Sequence, residues 1–150
     1  MTTVLVLYHS QEYGNTKKMA EAVAQGAEGS GATATLVNTN EERIELDRYR
    51  GFDAVAFGSP DYFGYVAGGL KTFLDDWYIA RKADSASLTG KPIGLFYSHG
   101  GGGSARGPLE SLYGRMGTQV GETIESVGAP SERILDECRS LGKELAEAVT

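Results

Sequence analysis

Short segments that are apolar at every position alternate with helical patterns along this chain, and this alternation most limits its fold. The runs Val4 to Leu7 and Val55 to Phe57 contain no polar residue. Strands that are apolar on both faces are typical of parallel sheets covered by helices on both sides. Alternating strands and helices favour right-handed crossovers. The pattern predicts an α/β fold with three layers, a parallel sheet between two layers of helices.

Five strands are predicted, over residues 2–9, 32–38, 54–59, 91–98 and 119–127. A short surface helix is predicted over 41–50, and Pro108 suits the first turn of another helix because its missing N–H is unpaired there anyway. Apolar residues between the strands recur at helical spacing and predict three core-facing stripes: Met19, Ala20, Val23, Ala24 and Ala27; Leu70, Phe73, Leu74, Trp77 and Tyr78; Ile134, Cys138, Leu141, Leu145 and Ala148.

Composition restricts the classes of function. A length of 150 residues predicts one domain over 1–150 and therefore one main site. With 41% hydrophobic and 23% charged residues, the chain is too apolar for disorder. The net charge is −6 and no run is rich in Lys or Arg, so nucleic acid is not an expected partner.

The N-terminal apolar stretch, Val4 to Tyr8, is too short to span a bilayer and lacks the pattern of a signal peptide. We therefore expect no membrane span and a cytoplasmic location. The single cysteine, Cys138, cannot form an internal disulfide. Its place on an apolar helical stripe predicts a buried structural thiol, with a reactive thiol as the less common alternative.

The first candidate loop covers residues 10–16, between the first strand and a helix expected to begin at Asn15 or Thr16. Ligands of open α/β sheets bind beyond the carboxyl ends of the strands, and unpaired N–H groups at a helix N-terminus attract anions. Lys17 and Lys18 lie in the first helical turn, where the helix dipole disfavours cations unless an anion is bound. The loop predicts a phosphate site built from neutral donors; an ordinary N-cap is the alternative.

The second candidate loop, residues 58–65, follows the third strand, which Pro60 is expected to end. Tyr62, Phe63 and Tyr65 crowd a segment that should be exposed. Stacking on a planar heteroaromatic ligand would bury these rings. Two alternatives stay open: Phe63 and Tyr65 pack on the following helix, or the aromatic residues form a contact between copies in a homo-oligomer.

The third candidate loop, residues 98–104, contains four consecutive glycines. Their bare backbone groups suit edge contacts to a flat ligand, and a flexible linker is the alternative. The segment from Gly100 to Ala105 also matches Gly-x-Gly-x-x-Ala. This match is weak support for dinucleotide binding, because that fingerprint belongs after the first strand.

Together the three loops resemble those of the flavodoxin-like superfamily, over essentially the whole chain, and most closely those of short WrbA-type NAD(P)H:quinone oxidoreductases. Residues 13–16 are similar to the FMN phosphate loop, 58–64 and 70–75 to the segment beside the flavin, and 98–103 to the third flavin loop. The resemblance implies a five-stranded sheet in the order 2-1-3-4-5 and FMN as cofactor. The first loop is one residue longer than in electron-carrier flavodoxins, and the insertion of longer WrbA-type enzymes is missing.

The resemblance also implies which residues contact FMN, and it assigns no metal site. The phosphate would be bound by Ser10, Gln11, Glu12, Tyr13, Gly14, Asn15 and Thr16, with Gln11 and Glu12 acting through the backbone. The flavin ring and ribityl chain would be held by Pro60, Asp61, Tyr62, Phe63, Gly64, Ser98, His99, Gly100, Gly101, Gly102 and Gly103.

The residues expected beside the flavin distinguish two functions. The third loop has no carboxylate and carries His99, which would favour a fully reduced, anionic flavin, whereas Asp61 would favour one-electron carriage. We predict a two-electron reductase that passes hydride from NAD(P)H to a quinone or similar acceptor, with His99 and Tyr62 positioning the acceptor. The alternatives are a flavodoxin that carries electrons between redox partner proteins and an FMN-binding sensor domain; His99 could also be purely structural.

Overall fold

The computed structural model describes residues 1–149, and parallel strands form its centre. The strands are β1 (Thr3–Tyr8), β2 (Thr33–Asn38), β3 (Ala54–Pro60), β4 (Lys91–His99), β5 (Gly117–Gln119) and β6 (Ile124–Val127). The helices are α1 (Asn15–Gly29), α2 (Leu46–Arg50), α3 (Gly68–Ala80), α4 (Arg106–Tyr113) and α5 (Glu132–Ala148), and a 3-10 turn, Gly114–Met116, follows α4.

The sheet has the order β2-β1-β3-β4-β5, and β6 also pairs with β4. All these pairings are parallel, so the carboxyl ends of β1, β3 and β4 meet at one edge of the sheet. The predicted order 2-1-3-4-5 and the three-layer architecture are confirmed. The fifth position of the sheet is filled by two segments in succession.

The prediction of one continuous strand over 119–127 is wrong. Between the two edge segments β4 advances three residues, from Ile93 to Phe96, whereas the edge chain advances five, from Gln119 to Ile124. The extra residues leave the ladder near Gly121, which has a positive φ of 68°. Such an interruption is tolerated at a sheet edge because no strand on the far side loses its partners.

The prediction of a helix over 41–50 is too long, since α2 begins only at Leu46. The chain first turns after β2, where the N–H groups of Glu41 and Glu42 donate to the carbonyl oxygen of Asn38. This turn uses the residues that the sequence pattern assigned to the first helical turn. The helix predicted around Pro108 is confirmed, with Pro108 as the third residue of α4.

The core has one part on each face of the sheet. Val4 and Val6 of β1 face α1 and α5, while Leu5 and Leu7 face the side of α3 and α4. This arrangement explains why β1 is apolar at every position. The predicted stripes are buried except for Leu74, which is partly buried, and Tyr78 and Ala148, which are exposed. Cys138 is buried as predicted, and burial raises the pKa of its thiol to about 12.

Helices α1 and α5 approach closely because glycine stands at two contact positions. A Cβ atom built on Gly26 would overlap the carbonyl oxygen of Arg139, and one built on Gly142 would overlap that of Val23. The obstacle is helix backbone in both cases, so it cannot move aside as a flexible side chain would. Close packing of the two helices therefore requires glycine at both positions.

We predict that Gly142→Ala lowers the free energy of unfolding by about 1–3 kcal/mol, the usual cost of overpacking. Urea denaturation measures this loss. Gly29→Ala in α1 is the matched control, since no atom lies near the added Cβ and alanine is the better helix former. Equal effects of the two substitutions would contradict this account of the interface.

Candidate functional site

The loops that follow β1, β3 and β4 surround a cavity of about 320 Å³ at the carboxyl edge of the sheet. This is where open α/β sheets bind their ligands. The wall contains most of the residues assigned from the sequence, and one further residue, Gly128. The lining residues are Ser10, Gln11, Glu12, Tyr13, Gly14, Asn15, Thr16, Pro60, Asp61, Tyr62, Ser98, His99, Gly100 and Gly128.

The assignment of residues to the cofactor stays a prediction for all of them, and five assigned residues lie outside this wall: Phe63, Gly64, Gly101, Gly102 and Gly103. Paired backbone hydrogen bonds between Tyr62 and Tyr65 close a turn with Phe63 at its tip. Phe63 has a positive φ of 57° and is fully exposed. The alternative that Phe63 packs on the following helix is therefore wrong.

Helix α1 begins at Asn15, as predicted, and presents unpaired donors to the cavity. Its N-cap is Gly14, which has a φ of 79° and offers no side chain to the first turn. Within residues 1–149 the backbone N–H groups of Asn15, Thr16 and Lys17 have no acceptor. The alternative of an ordinary side-chain N-cap is therefore wrong, and the first turn is left ready for an external anion.

The first loop is braced by groups that sequence reasoning missed. The Asn38 side chain accepts a hydrogen bond from the Ser10 N–H at 3.0 Å and donates one to the Ser10 carbonyl oxygen at 2.9 Å. On the other side of the loop, the hydroxyls of Thr16 and Ser98 share a buried hydrogen bond of 2.8 Å. These contacts fix the loop between the ends of β2 and β4.

His9 is a further residue that sequence reasoning missed. It is buried directly after β1, with Nδ1 2.7 Å from the Thr39 hydroxyl and Nε2 hydrogen bonded to the Gln11 side-chain oxygen. Its ring meets the Tyr62 ring edge to face, with centroids 6.1 Å apart. The sequence signal that could have identified His9 is its position at the carboxyl end of a core strand, because the ligand-binding loops of such sheets lie there.

Asp61 ties the second loop to the third. Its carboxylate accepts hydrogen bonds from the backbone N–H groups of Gly64 at 2.7 Å, Ser104 at 2.7 Å and Ala105 at 3.0 Å. Ala105 is the N-cap residue of α4. The negative charge of Asp61 is thus balanced by backbone donors of the protein, which weakens the sequence argument that it favours one-electron carriage.

His99 lies beside a carboxylate, contrary to the environment expected from the third loop alone. Its Nε2 is 2.5 Å from Oε2 of Glu125, while Arg106 lies 3.8 Å from the other oxygen of Glu125. The hydrogen bond with His99 is the main cause that lowers the pKa of Glu125. Glu125 pairs in register with Tyr97 at the end of β4, so strand order was the signal that could have identified it.

The His99 side chain is only 5% exposed, and its ring stacks on Tyr97 at a centroid distance of 5.7 Å. Its Nδ1 atom is buried and has no partner within residues 1–149. Gly103 covers the pair: a Cβ there would lie 2.7 Å from Nε2 of His99 and 2.9 Å from Oε2 of Glu125. Glycine at this position therefore leaves room for the pair.

We predict that Asp61→Asn lowers the free energy of unfolding by about 1–3 kcal/mol, because an amide group cannot accept all three hydrogen bonds. Amide hydrogen exchange should accelerate at Gly64 or at Ser104 and Ala105. The control is Asp75→Asn, which removes an exposed ion pair with Lys71 and should change little. Unchanged exchange at all three amides would contradict the bracing role of Asp61.

Comparison with known proteins places the chain in a family. The family model described as Flavodoxin matches residues 6–142. An NAD(P)H dehydrogenase (quinone) from Archaeoglobus fulgidus is 31% identical over an alignment of 191 residues, which covers 98% of this chain and 97% of that protein. Because this chain has 150 residues, the relative contains insertions that this chain lacks.

Solved structures give the same result. A flavodoxin from the domain Archaea has a TM-score of 0.83 and 27% identity, with 99% of each chain covered. A WrbA-like flavodoxin protein from Agrobacterium tumefaciens has a TM-score of 0.77 and 28% identity, with 99% of this chain and 98% of that chain covered. The resemblance inferred from the three loops is confirmed, and this chain belongs to the flavodoxin family.

Proposed function

We propose that this chain binds FMN in the cavity and acts as an NAD(P)H-dependent two-electron reductase of quinones or similar acceptors. FMN is the cofactor that membership of the flavodoxin family implies. The observation that carries the proposal is the first turn of α1, whose unpaired N–H groups adjoin a cavity walled on its other sides by Tyr62 and the third loop. The Archaeoglobus relative supports the reductase activity.

The residues present fit the phosphate of FMN. No Lys or Arg lines the cavity formed by the described residues, so the phosphate would be held by the backbone N–H groups of Asn15 and Thr16 and by the hydroxyls of Ser10 and Thr16. Lys17 and Lys18 are exposed in the first turn of α1, close to this anion site. A bound dianion would offset the unfavourable interaction of these cations with the helix dipole.

The flavin ring would lie against the second and third loops, where Pro60, Tyr62 and Gly100 line the wall. When bound, FMN supplies the hydride chemistry, and the protein supplies binding, orientation and control of access. His99 and Tyr62 remain the residues proposed to position the acceptor. Both line the cavity, and the contacts with Glu125 and His9 give each ring a defined orientation.

One-electron carriage between redox partner proteins is the second candidate function. The similarity to the archaeal flavodoxin over 99% of both chains favours it, as does the carboxylate of Glu125 beside His99. The neighbouring Arg106 and the backbone donors around Asp61 reduce the negative field at the site, which favours the reductase.

The cellular setting is also proposed. No helix within residues 1–149 combines the length and apolar character needed to cross a membrane. We propose that residues 1–150 form one domain that works in the cytoplasm, where a free buried thiol such as Cys138 is ordinary. Association into a homo-oligomer through Phe63 and Tyr65, which are exposed, also remains a proposal.

We predict that riboflavin, which lacks the phosphate, binds at least about 100-fold more weakly than FMN, because it loses several charge-assisted hydrogen bonds. Titration calorimetry measures both affinities. Replacing Lys17 and Lys18 by Gln should weaken FMN binding and leave riboflavin binding unchanged. Lys143→Gln, an exposed substitution on α5, is the control and should change neither. Equal affinities for the two flavins would refute the phosphate site.

We predict that the FMN-loaded protein oxidises NADH or NADPH with 1,4-benzoquinone through many turnovers and takes up two electrons in one step during reductive titration. The physical reason is that Arg106 and the backbone donors around Asp61 reduce the negative field at the site, which favours a fully reduced flavin. Stopped-flow absorbance and potentiometry provide the measurements. Negligible turnover together with two separate one-electron steps would instead establish the carrier function.

A further inference from the structure

We propose that the side chain of Gln11 binds the phosphate of FMN through its amide N–H groups and that His9 is the positioning residue that orients this amide. The inference rests on the proposed function and deepens it. Sequence reasoning gave Gln11 a contact through its backbone only and gave His9 no role. The structure assigns both residues through one hydrogen-bond chain at the cavity wall.

Gln11 lines the cavity within the loop that leads into α1, and its side-chain oxygen is already used. That oxygen is hydrogen bonded to Nε2 of His9. The amide nitrogen of Gln11 has no partner within residues 1–149. A side-chain amide with its oxygen held by the protein has both N–H donors left for an external acceptor.

His9 can hold the amide in this orientation because its own surroundings are fixed. It is buried, its Nδ1 is 2.7 Å from the Thr39 hydroxyl, and its ring rests against Tyr62. A Cβ atom on Gly69 of α3 would lie 2.5 Å from that hydroxyl and 3.0 Å from Nδ1 of His9. The start of α3 thus closes this side of the network and leaves little room for another ring position.

The chain of hydrogen bonds also fixes the tautomer of His9. The Gln11 oxygen can only accept, so Nε2 of neutral His9 must carry the proton. Nδ1 then has a free lone pair and accepts from the Thr39 hydroxyl. Both ring nitrogens are satisfied in this state, and neither N–H of Gln11 is used by His9.

The phosphate is the part of FMN that requires hydrogen-bond donors such as the N–H groups of Gln11. The described residues that line the cavity include no Lys or Arg, while Glu12 and Asp61 are carboxylates. A dianion there depends on neutral N–H and O–H donors, and hydrogen bonds to charged groups are the stronger ones. Gln11 lines the same cavity as Ser10 and Thr16, and its side-chain amide carries two N–H donors that have no partner within residues 1–149.

The first test uses the protein without cofactor. The chain has two histidines, so nitrogen-15 NMR of the imidazole rings is simple to assign with a His99→Gln variant. We expect neutral His9 to be protonated at Nε2. Protonation at Nδ1 would mean that the Gln11 amide is turned the other way, and it would overturn the proposal without bearing on FMN binding.

The second test compares affinities for FMN and riboflavin. Gln11→Leu should weaken FMN binding at least about tenfold, because the hydrogen bonds of its amide to a charged group are lost, and should leave riboflavin binding unchanged. His9→Asn, which can reach Thr39 but not Gln11, should act like Gln11→Leu and add little to it in the double variant. His9→Gln carries an amide near the position of Nε2 and should restore part of the affinity.

Gln25→Leu, which removes a hydrogen bond with Arg139 on the exposed surface of α1, is the matched control and should change neither affinity. Equal losses for FMN and riboflavin in Gln11→Leu would place the contact away from the phosphate and overturn the assignment. Additive losses in the double variant would overturn the positioning role of His9. A wild-type protein that binds neither flavin would instead refute the proposed function itself.

Discussion

The unpaired N–H groups at the start of α1 are the constraint on which the rest of the site depends. Every helix leaves its first N–H groups without an internal partner, and most helices satisfy some of them with a side-chain cap. Here Gly14 occupies the cap position and leaves them open toward a cavity at the sheet edge. A helix end in this state stabilises a bound anion.

The neighbouring loops hold this helix end in place by contacts between segments that are distant in sequence. The Thr16 and Ser98 hydroxyls join α1 to β4, and Asn38 fixes the loop before α1 from the end of β2. Asp61 joins the second and third loops through backbone donors. The cavity is therefore bounded by a connected network, which is the preorganisation that cofactor binding requires.

Much of the fold could be predicted from the sequence, because the features involved are local. The apolar runs around Val6 and Phe57 and the stripe around Val23 report burial directly. They were sufficient to predict the succession of strands and helices along the chain. Gly14 and the polar residues beside it predicted an anion site for the same reason. The start of α2 was misplaced because Glu41 and Glu42 close a turn on the Asn38 carbonyl oxygen instead of beginning the helix.

The elements that were missed arise from long-range pairing. The interruption between β5 and β6 follows from their register against β4, which no local pattern reports. Glu125 reaches His99 only because β6 lies beside β4, and His9 reaches Thr39 because two loops meet at the same sheet edge. Sequence reasoning located the loops of the site, whereas the structure located the side chains that orient them.

The most direct measurement of the central claim is the amide NMR spectrum of the protein before and after FMN is added. The account predicts that the amide protons of Asn15 and Thr16 shift strongly downfield and become protected from exchange with water as the phosphate is bound. Flavin binding that leaves these two amides unshifted and unprotected would contradict it.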